Sequence, residues 1–454
     1  MLTADFIKTK GADSLEKFLQ LRKENPVFIY HDFSIDDVGF SFHFSIGEFH
    51  FYPTWKWNGN YISHKTDIKL LEALVFSLGM AELVSYWKCA CPPEVHVKCG
   101  ALDEYQIKWW KKLYYNGLGE FFYRNGIKTD FDSFMKIIPD NSEPPVFVEN
   151  GNERKGALIP VGGGKDSVVT LELLSGMKSD NLCYIINPRG ATLNCAHTAG
   201  YADEQIIGLS RTIDKGLLER NAAGWLNGHT PFSAIVAFSS YLCAVLTGKK
   251  YIALSNESSA NEAYVDGTDI NHQYSKSTEF ERDFREYTAK YFLPCPEYFS
   301  LLRPWSEWQI AREFVKYPKY FPVFQSCNLG SKTDTWCGKC AKCLYVYILL
   351  SAFLDDKILT EIFGLNMLDN PEFMDMFDGL VLDGVDKPFE CVGTRDEIRL
   401  SLEMALKKRG ANPPALLRVY AGYRENGGFD IPSLDNFFDN NNFVPTELLP
   451  LLKG

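Results

Sequence analysis

The chain has 454 residues, of which 46% are hydrophobic and 23% are charged, and its 47 Lys and Arg residues against 58 Asp and Glu residues give a net charge of −11. These values are typical of folded globular proteins, and they exclude a disordered chain and a small scaffold held by disulfides. An acidic chain lacks the surplus of Lys and Arg that captures a nucleic-acid backbone, so we expect no nucleic-acid partner.

The sequence predicts neither a membrane span nor a secretory signal. The purest apolar run, Leu344 to Leu354, has eleven residues and includes Ser351, whereas a span needs roughly 18 residues. It predicts a buried helix. Met1 to Glu16 has no basic start followed by an apolar stretch, so we expect a cytoplasmic protein. In a reducing compartment the twelve cysteines are expected to be thiols or metal ligands rather than disulfides.

The first part of the chain predicts a β-hairpin. Aromatic residues alternate with small or polar residues on both sides of Gly47-Glu48, which is typical of two antiparallel strands joined by a two-residue turn. This register pairs Phe44 with Phe51. His43 and His50 then lie on the face opposite the aromatic residues, and we expect them to be solvated because the pattern places no cysteine or acidic residue beside them.

Helices and a linker complete this mixed α+β region. Apolar residues recur every three or four positions from Ile68 to Leu83 and from Glu104 to Leu118, which predicts two helices. The Pro-, Asn- and Glu-containing stretch from Pro139 to Glu149 resembles a linker.

After the linker, strands alternate with helices. Such alternation predicts a parallel sheet that binds ligands at the carboxyl ends of its strands. The predicted elements are the strands Ala157–Val161, Leu182–Asn187 and Tyr251–Ser255 and the helices Ser167–Leu174 and Ser233–Leu246.

A glycine-rich loop between the first of these strands and its helix predicts a phosphate site. Backbone N–H groups of such a loop and of the helix start surround an anion. The loop is not a Walker A motif, because Lys165 is followed by Asp166 and not by Ser or Thr. An ordinary tight turn is the alternative, but it would not need these polar residues together. The loop residues are Gly162, Gly163, Gly164, Lys165, Asp166 and Ser167.

This loop resembles the S-G-G-x-D-S signature of the PP-loop ATP pyrophosphatases. The resemblance implies an adenine nucleotide alpha hydrolase-like fold and cleavage of ATP between its α and β phosphates, with transfer of AMP to a substrate oxygen. Gly162 replaces the usual Ser, so the backbone or Lys165 would have to supply the missing contact. The resemblance also implies that Asp166 helps to hold Mg²⁺ or the ribose and that Ser167 binds diphosphate.

Two later segments resemble the same superfamily. Ser255, Asn256 and Glu257, followed by Asn261 and Glu262, resemble its polar turn near nucleotide and metal. A second segment, Arg303-Pro304-Trp305, resembles the one that opens a later helix.

Four cysteines have the spacing of a structural metal site. Cys327, Cys337, Cys340 and Cys343 follow the pattern C-x9-C-x2-C-x2-C, which lets four thiolates surround one Zn²⁺ and leaves no open position. Free thiols, a redox pair and an iron–sulfur cluster are the alternatives. The arrangement resembles that of the deazaguanine nitrile synthases, which are PP-loop enzymes with shorter chains.

Over most of its length the chain resembles the ATP-dependent epimerases of UDP-N-acetylmuramoyl-L-alanyl-L-glutamate. The resemblance rests on the glycine loop, on Ser255 to Glu262, on Asn271 to Lys276 and on Lys387 to Gly393. It implies that the terminal L-glutamate of a UDP-linked muramoyl dipeptide becomes D-glutamate in peptidoglycan precursor synthesis, while ATP gives AMP and diphosphate. ATP, Mg²⁺ and a structural Zn²⁺ are the implied cofactors.

The residues that transfer the proton are less clearly indicated. His272 and Lys276 are the preferred catalytic candidates, together with Asp166 at the nucleotide, because they lie in a polar loop after the nucleotide strand and exchange protons near neutral pH after modest tuning. Binding of substrate by these two residues, or exposure to solvent, explains them equally well. Cys391 is either a thiol acid or a core cysteine.

Two rival functions are considered. A PP-loop amide or nitrile synthetase would share the loop, whereas a tRNA-thiolating enzyme would need a basic surface.

The predicted fold class is α/β, with three domains. They are a mixed α+β domain at 1–150, a parallel-sheet PP-loop ATP-binding domain with the four-Cys site at 151–355, and a mostly helical region at 356–454.

Overall fold

The computed structural model describes residues 15–59, 61–62, 66–148, 153–265, 268–327 and 329–453. The chain folds as two compact units, and it passes between them several times. The first unit contains Met1–Leu158, Ile207–Ile252 and Gln273–Tyr298, and the second contains Ile159–Ile206, Ala253–His272 and Phe299–Gly454. The division into three sequential domains stays a prediction.

The strands confirm a mixed α/β protein. They are β1 (Val27–Asp36), β2 (Gly39–Ile46), β3 (Phe49–Phe51), β4 (Thr54–Trp57), β5 (Glu94–Val97), β6 (Lys136–Pro139), β7 (Ala157–Pro160), β8 (Leu182–Ile186), β9 (Ile206–Thr212), β10 (Tyr251–Leu254) and β11 (Glu297–Ser300).

The helices are distributed along the whole described chain, and none of the described helices combines the length and the apolar character that a membrane span requires. They are α1 (15–24), α2 (Ile68–Trp87), α3 (Glu104–Gly117), α4 (Gly119–Arg124), α5 (Lys165–Leu173), α6 (Gly190–Thr198), α7 (Lys215–Ala222), α8 (Phe232–Leu246), α9 (Thr278–Tyr291), α10 (Glu307–Phe314), α11 (Ala341–Ser351), α12 (Asp356–Phe363), α13 (Met374–Val381), α14 (Arg395–Arg409) and α15 (Ala415–Asn426).

In the first unit, strands lie in the order β9-β4-β2-β1-β5-β6, and β3 also pairs with β2. Pairing is antiparallel from β9 to β1 and parallel from β1 to β6. The predicted hairpin is confirmed, since Phe44 pairs with Phe51 across the Gly47 turn. Both aromatic rings are buried, and the helix α2 packs on β1 and β2.

The expectation that no acidic residue lies beside the outward histidines is wrong. Asp32 Oδ2 is 3.3 Å from His43 Nδ1, and His43 Nε2 is 2.8 Å from His50 Nδ1. The physical reason is a bulge in β1, where the register shifts between Tyr30 and Asp32. A bulge cannot be read from simple alternation, because it adds one residue to only one strand of the pair.

The second unit contains β8 and the carboxyl ends of three further strands, β7, β10 and β11. These four strands lie in the order β11-β10-β7-β8. The N–H of Val161 donates to the Tyr184 carbonyl at 2.9 Å, and the N–H of Leu301 donates to the Leu254 carbonyl at 2.8 Å. Parallel pairing is seen between β10 and β7, at Tyr251 and Ala157 in the first unit. The parallel strands predicted for this region are therefore present.

The helix that follows β7 packs against another helix of the second unit. The predicted helix after the glycine loop begins at Lys165, two residues earlier than expected. The apolar run from Leu344 contributes to α11, which is buried along its length. The helix α10 packs against α5, α11 and α14, so the amino-terminal ends of these helices supply the polar residues described next.

Candidate functional site

The glycine loop joins β7 to α5 by a path that requires glycine at Gly163. Gly163 has a φ of +82°, and a Cβ there would lie 3.0 Å from the backbone carbon of Ala191. A Cβ on Gly164 would lie 3.1 Å from the Cβ of Ser326, whereas one on Gly162 would meet nothing within 4 Å. The departure from Ser at position 162 therefore has no steric cause.

The first turn of α5 is a candidate anion site. Gly164 caps the helix in an extended conformation, and no side chain of the described residues caps its amino terminus. The first N–H groups of a helix have no partner inside it and lie at the positive end of the helix dipole. Ser167 Oγ donates to the Gly164 carbonyl at 2.9 Å. Contact between this hydroxyl and diphosphate would require it to rotate, and it stays a prediction.

Lys165 lies at the centre of a buried ion cluster. Its side chain is 1% exposed, and its ammonium group donates to the carboxylates of Asp166 and Glu307. Burial alone would lower the pKa of Lys165, but the two carboxylates raise it above its ordinary value. Asp166 is 25% exposed and Glu307 is 2% exposed. Lys165 is therefore a fixed cation, held from one side by a fully buried carboxylate.

A second buried carboxylate adjoins Glu307. Glu397 Oε1 accepts the Glu307 backbone N–H at 2.7 Å, and Glu397 Oε2 accepts the Thr394 N–H at 2.6 Å. Burial, and next the charge of Asp166, raises the pKa of Glu307 to about 7. Burial, and next the charge of Glu307, raises the pKa of Glu397 to about 7. Burial and neighbouring carboxylates thus raise the pKa values of both groups.

Gly393 leaves room for this cluster. A Cβ at this position would lie 2.3 Å from Glu397 Oε2 and 2.5 Å from the Tyr345 hydroxyl oxygen. The Tyr345 hydroxyl is buried and has no hydrogen-bond partner among the described residues. Burial raises the pKa of Tyr345 well above its ordinary value, so this phenol stays protonated and able to donate a hydrogen bond.

The polar turn after β10 lies beside the glycine-loop helix. Ser255 Oγ is 2.8 Å from Thr170 Oγ1 of α5, and Asn256 Nδ2 donates to Ser300 Oγ at 3.0 Å. Glu257 is 5% exposed and contributes to the raised pKa of Glu307. The structure therefore brings the two segments predicted to bind nucleotide together.

The Arg-Pro-Trp segment supports this turn. Arg303 is fully buried, and its Nη1 donates to the Glu257 carbonyl. The N–H of Ser258 donates to the Trp305 carbonyl at 3.2 Å. Asn261 Nδ2 donates to the Ser258 carbonyl at 3.1 Å. Arg303 and Trp305 therefore hold the turn in place, with Glu257 beside the Lys165 cluster.

Glu262 connects the turn to the segment from Lys387 to Gly393. Lys387 Nζ donates to the Glu262 carboxylate and to the Gly393 carbonyl, the latter at 2.8 Å. Burial lowers the pKa of Lys387, an effect that Glu262 opposes. Cys391 is half-buried, and its carbonyl accepts from Lys342 Nζ.

The two proton-transfer candidates belong to different units, because the division lies between His272 and Gln273. In the second unit, the His272 ring is 5.5 Å from the Tyr264 ring and 6.4 Å from the Phe389 ring. In the first unit, Lys276 Nζ donates to Gln273 Oε1 at 3.2 Å. Their catalytic roles stay predictions.

The four predicted cysteines form one cluster, with their sulfur atoms within 4.8 Å of one another. The Sγ–Sγ distance is 3.9 Å from Cys327 to Cys340, 3.6 Å from Cys337 to Cys343 and 3.5 Å from Cys340 to Cys343. Four sulfurs at 2.3 Å from a tetrahedral Zn²⁺ are separated by about 3.8 Å. The donor set and its spacing therefore fit zinc.

Hydrogen bonds prepare these sulfurs for a metal. The N–H of Gly330 donates to Cys327 Sγ at 3.2 Å, and the N–H of Cys337 donates to the same sulfur at 3.5 Å. The contact with Cys343 lowers the pKa of Cys340, and the same contact raises the pKa of Cys343. A thiolate is the form that binds metal.

Sequence reasoning missed Glu307, Glu397 and Tyr345. Glu397 follows Thr394 at the spacing of a capping box, which is observed, and this signal predicts only a helix start. Glu307 likewise opens α10 after its cap, Ser306. Neither pattern reveals that Glu307 is buried against Lys165 and Glu397 against Glu307.

Comparison with known proteins identifies the family. The family model described as the MurL N-terminal domain matches residues 20–301, and that of the MurL C-terminal domain matches residues 323–422. A protein of Xanthomonas oryzae pv. oryzae is 34% identical over 346 residues, which are 74% of this chain and 75% of that protein. Proteins of Salinispora tropica and of a Micromonospora species are each 35% identical, over 72% and 71% of this chain and 72% of either relative.

All three relatives carry the name UDP-N-acetyl-alpha-D-muramoyl-L-alanyl-L-glutamate epimerase. The search of solved structures gave no significant match. Because the N-terminal family model covers more than half of the chain and the relatives are similar over most of their own length, this chain belongs to the MurL family.

Proposed function

We propose that this protein is an ATP-dependent epimerase that converts the terminal L-glutamate of UDP-N-acetylmuramoyl-L-alanyl-L-glutamate to D-glutamate and forms AMP and diphosphate. Membership of the MurL family and the names of three relatives support the epimerisation and the substrate. The observation that carries the ATP dependence is the uncapped α5 terminus that follows the three glycines.

Activation of a carboxylate explains why an epimerase would use ATP. The α-proton next to a carboxylate is hard to remove, because the product is a poorly stabilised dianion. Attack of that carboxylate oxygen on the α-phosphorus of ATP breaks the α–β bond and releases diphosphate. The acyl adenylate carries no carboxylate charge, so loss of the α-proton gives a stabilised enolate. Each further ~1.36 kcal/mol of enolate stabilisation is worth about tenfold in rate.

Reprotonation on the opposite face then inverts the centre. Water attacks the acyl carbon, which releases AMP and restores the carboxylate. One ATP is therefore consumed for each adenylate formed. The proton that leaves the α-carbon goes to a group in contact with solvent, and the proton that replaces it comes from such a group.

In this proposal the amino terminus of α5 binds the diphosphate. The backbone N–H groups of its first turn act together with the fixed charge of Lys165, which Glu307 holds in position. Asp166 is partly exposed, so its carboxylate would hold Mg²⁺, which supplies charge neutralisation of the phosphates when bound. Ser255, Asn256 and Glu257 complete the nucleotide site.

His272 and Lys276 are proposed for the two proton transfers. Imidazole and amine groups both act as general acids and bases once their pKa values are tuned. If either group acts on the α-proton, its replacement by Ala should stop inversion and leave slow diphosphate release intact.

The cysteine cluster is proposed to hold a structural Zn²⁺. Four thiolates close the coordination sphere, so the ion would stabilise the loop from Cys327 to Cys343 and take no part in catalysis. Binding of this kind contributes on the order of 10 kcal/mol to local folding.

The decisive experiment follows ATP and stereochemistry together. The protein is incubated with ATP, Mg²⁺ and the L-glutamyl substrate in deuterated water. We expect D-glutamyl product with deuterium at the α-carbon, together with AMP and diphosphate, and no ADP. Inversion at full rate without ATP would contradict the proposal.

The same incubation with ammonia separates the rival reaction. A PP-loop amide or nitrile synthetase would join ammonia to the adenylate and would retain the L configuration without α-deuterium. An unchanged product mixture with and without ammonia supports the epimerase.

A further inference from the structure

We propose that the outer face of β1, β2 and β3 binds a divalent transition-metal ion of the Zn²⁺ class through His31, His43 and His50. Each of the three adjacent strands contributes one imidazole, and the ligating nitrogens lie within 4.8 Å of one another. All three residues belong to the first unit, and this proposal does not depend on the epimerase reaction.

The bulge in β1 builds this site. Tyr30 pairs with Phe44 and Asp32 pairs with His43, so His31 is the extra residue. Regular alternation after the buried Tyr30 would direct Asp32 toward the core. Instead His31 is half-buried and Asp32 is exposed, because the bulge resets the alternation and both side chains reach the outer face. Bulges commonly redirect a side chain in this way and are frequent next to functional sites.

The imidazoles are arranged around a common point. His43 Nε2 is 2.8 Å from His50 Nδ1, and the His31 ring stacks on the His43 ring with centroids 4.3 Å apart. His31 Nε2 is 2.8 Å from Ser45 Oγ. Ligands at about 2.0–2.1 Å from a tetrahedral Zn²⁺ are separated by about 3.3 Å. A small side-chain adjustment therefore converts the cluster to a metal site.

The charge state of the cluster also suits a cation. Two imidazole nitrogens at hydrogen-bond distance share a single proton, which a metal ion replaces. The neutral imidazole is the form that ligates metal.

Asp32 supplies the orienting contact that such ligands use. Its Oδ2 is 3.3 Å from His43 Nδ1, so Nε2, the other ring nitrogen, faces the cluster. A carboxylate on the far nitrogen of a ligating histidine fixes the ring and raises its basicity. Three protein ligands leave one position for water or a further ligand, so we expect the ion to exchange, unlike an ion held by four cysteines.

Equilibrium dialysis against Zn²⁺, followed by metal analysis, tests this site in the full chain. We expect the protein to bind one more Zn²⁺ per chain than His43→Ala or His50→Ala, each of which should lose that ion. Asp32→Asn should weaken its binding about 10–100-fold, the effect of removing a partner behind a metal ligand. These side chains lie on the outer face of the sheet, so their replacement should not unfold the protein.

His96→Ala is the matched control. His96 lies on the neighbouring strand β5, and its Nε2 is 3.0 Å from Glu94 Oε2. It is a single histidine beside a carboxylate, with no second imidazole of the described residues next to it. We expect this variant to keep the extra Zn²⁺, and we expect Zn²⁺ to raise its melting temperature as much as that of the unaltered protein. Equal Zn²⁺ binding by His43→Ala, or equal loss in His96→Ala, would overturn the proposal.

Discussion

Two glycines of the same loop should respond oppositely to alanine. Gly163 requires a positive φ and has backbone atoms of Ala191 and Thr192 3.0–3.1 Å from the position of a Cβ. The left-handed conformation costs a non-glycine residue about 1–2 kcal/mol, and displacement of the packed backbone adds roughly 1 kcal/mol. We therefore expect Gly163→Ala to lower the free energy of unfolding by about 2–3 kcal/mol.

Gly162→Ala is the matched control, because its Cβ would enter open space. A compatible glycine replaced by alanine gains about 0.4–1 kcal/mol by restricting the unfolded chain. A shift of 1 kcal/mol moves the melting temperature of a domain of 150–250 residues by roughly 2–4 °C. Thermal unfolding should therefore show a loss of roughly 4–12 °C for Gly163→Ala and none for Gly162→Ala.

Diphosphate release provides the functional half of this prediction. Gly163→Ala should lower it strongly even well below the melting temperature, since the loop can no longer follow its path between β7 and α5. Gly162→Ala should retain it, and Gly162→Ser should as well. Equal stability and equal activity of the two alanine variants would refute the assigned loop geometry.

Asp166→Ala should abolish ATP-dependent diphosphate release with little loss of thermal stability, because Glu307 still pairs with Lys165; full release in an enzymatic diphosphate assay would contradict its role. Cys340→Ser should lose about one Zn²⁺ per chain by metal analysis and melt at a lower temperature, whereas unchanged metal content would exclude a four-thiolate site. The pKa of Glu397 is raised from 4.5 to about 7, so the folded protein binds an extra proton between these values. The stabilisation that this proton gives the folded state is complete below pH 4.5 and is lost as the pH rises through 7. The loss amounts to about 3 kcal/mol. Urea unfolding at pH 5 and pH 8 should therefore show a smaller pH dependence for Glu397→Gln, and an unchanged dependence would contradict the buried carboxylate.

Local patterns determined much of the fold. The alternating aromatic residues predicted the hairpin register that pairs Phe44 with Phe51, and this is observed. The cysteine spacing predicted one four-thiol cluster, which the structure contains. Hydrophobic periodicity and short-range spacing are properties of neighbouring residues, so the sequence carries them directly.

Tertiary structure decided which polar residues join the glycine loop. Glu307 lies 142 residues beyond Lys165 in the chain, and Glu397 is a further 90 residues away. Their raised pKa values come from burial and from charges brought close by the packing of α5, α10 and α14. Hydrophobic periodicity predicts the helices, but it does not predict which carboxylates become buried.

The histidine cluster shows the same limit on a smaller scale. The sequence placed His43 and His50 on the outer face, and the structure agrees. It could not place His31 and Asp32 beside them, because one extra residue in β1 reverses the alternation of every later side chain in that strand. Bulge position depends on how two strands pair, so only the folded sheet determined the third imidazole and its carboxylate.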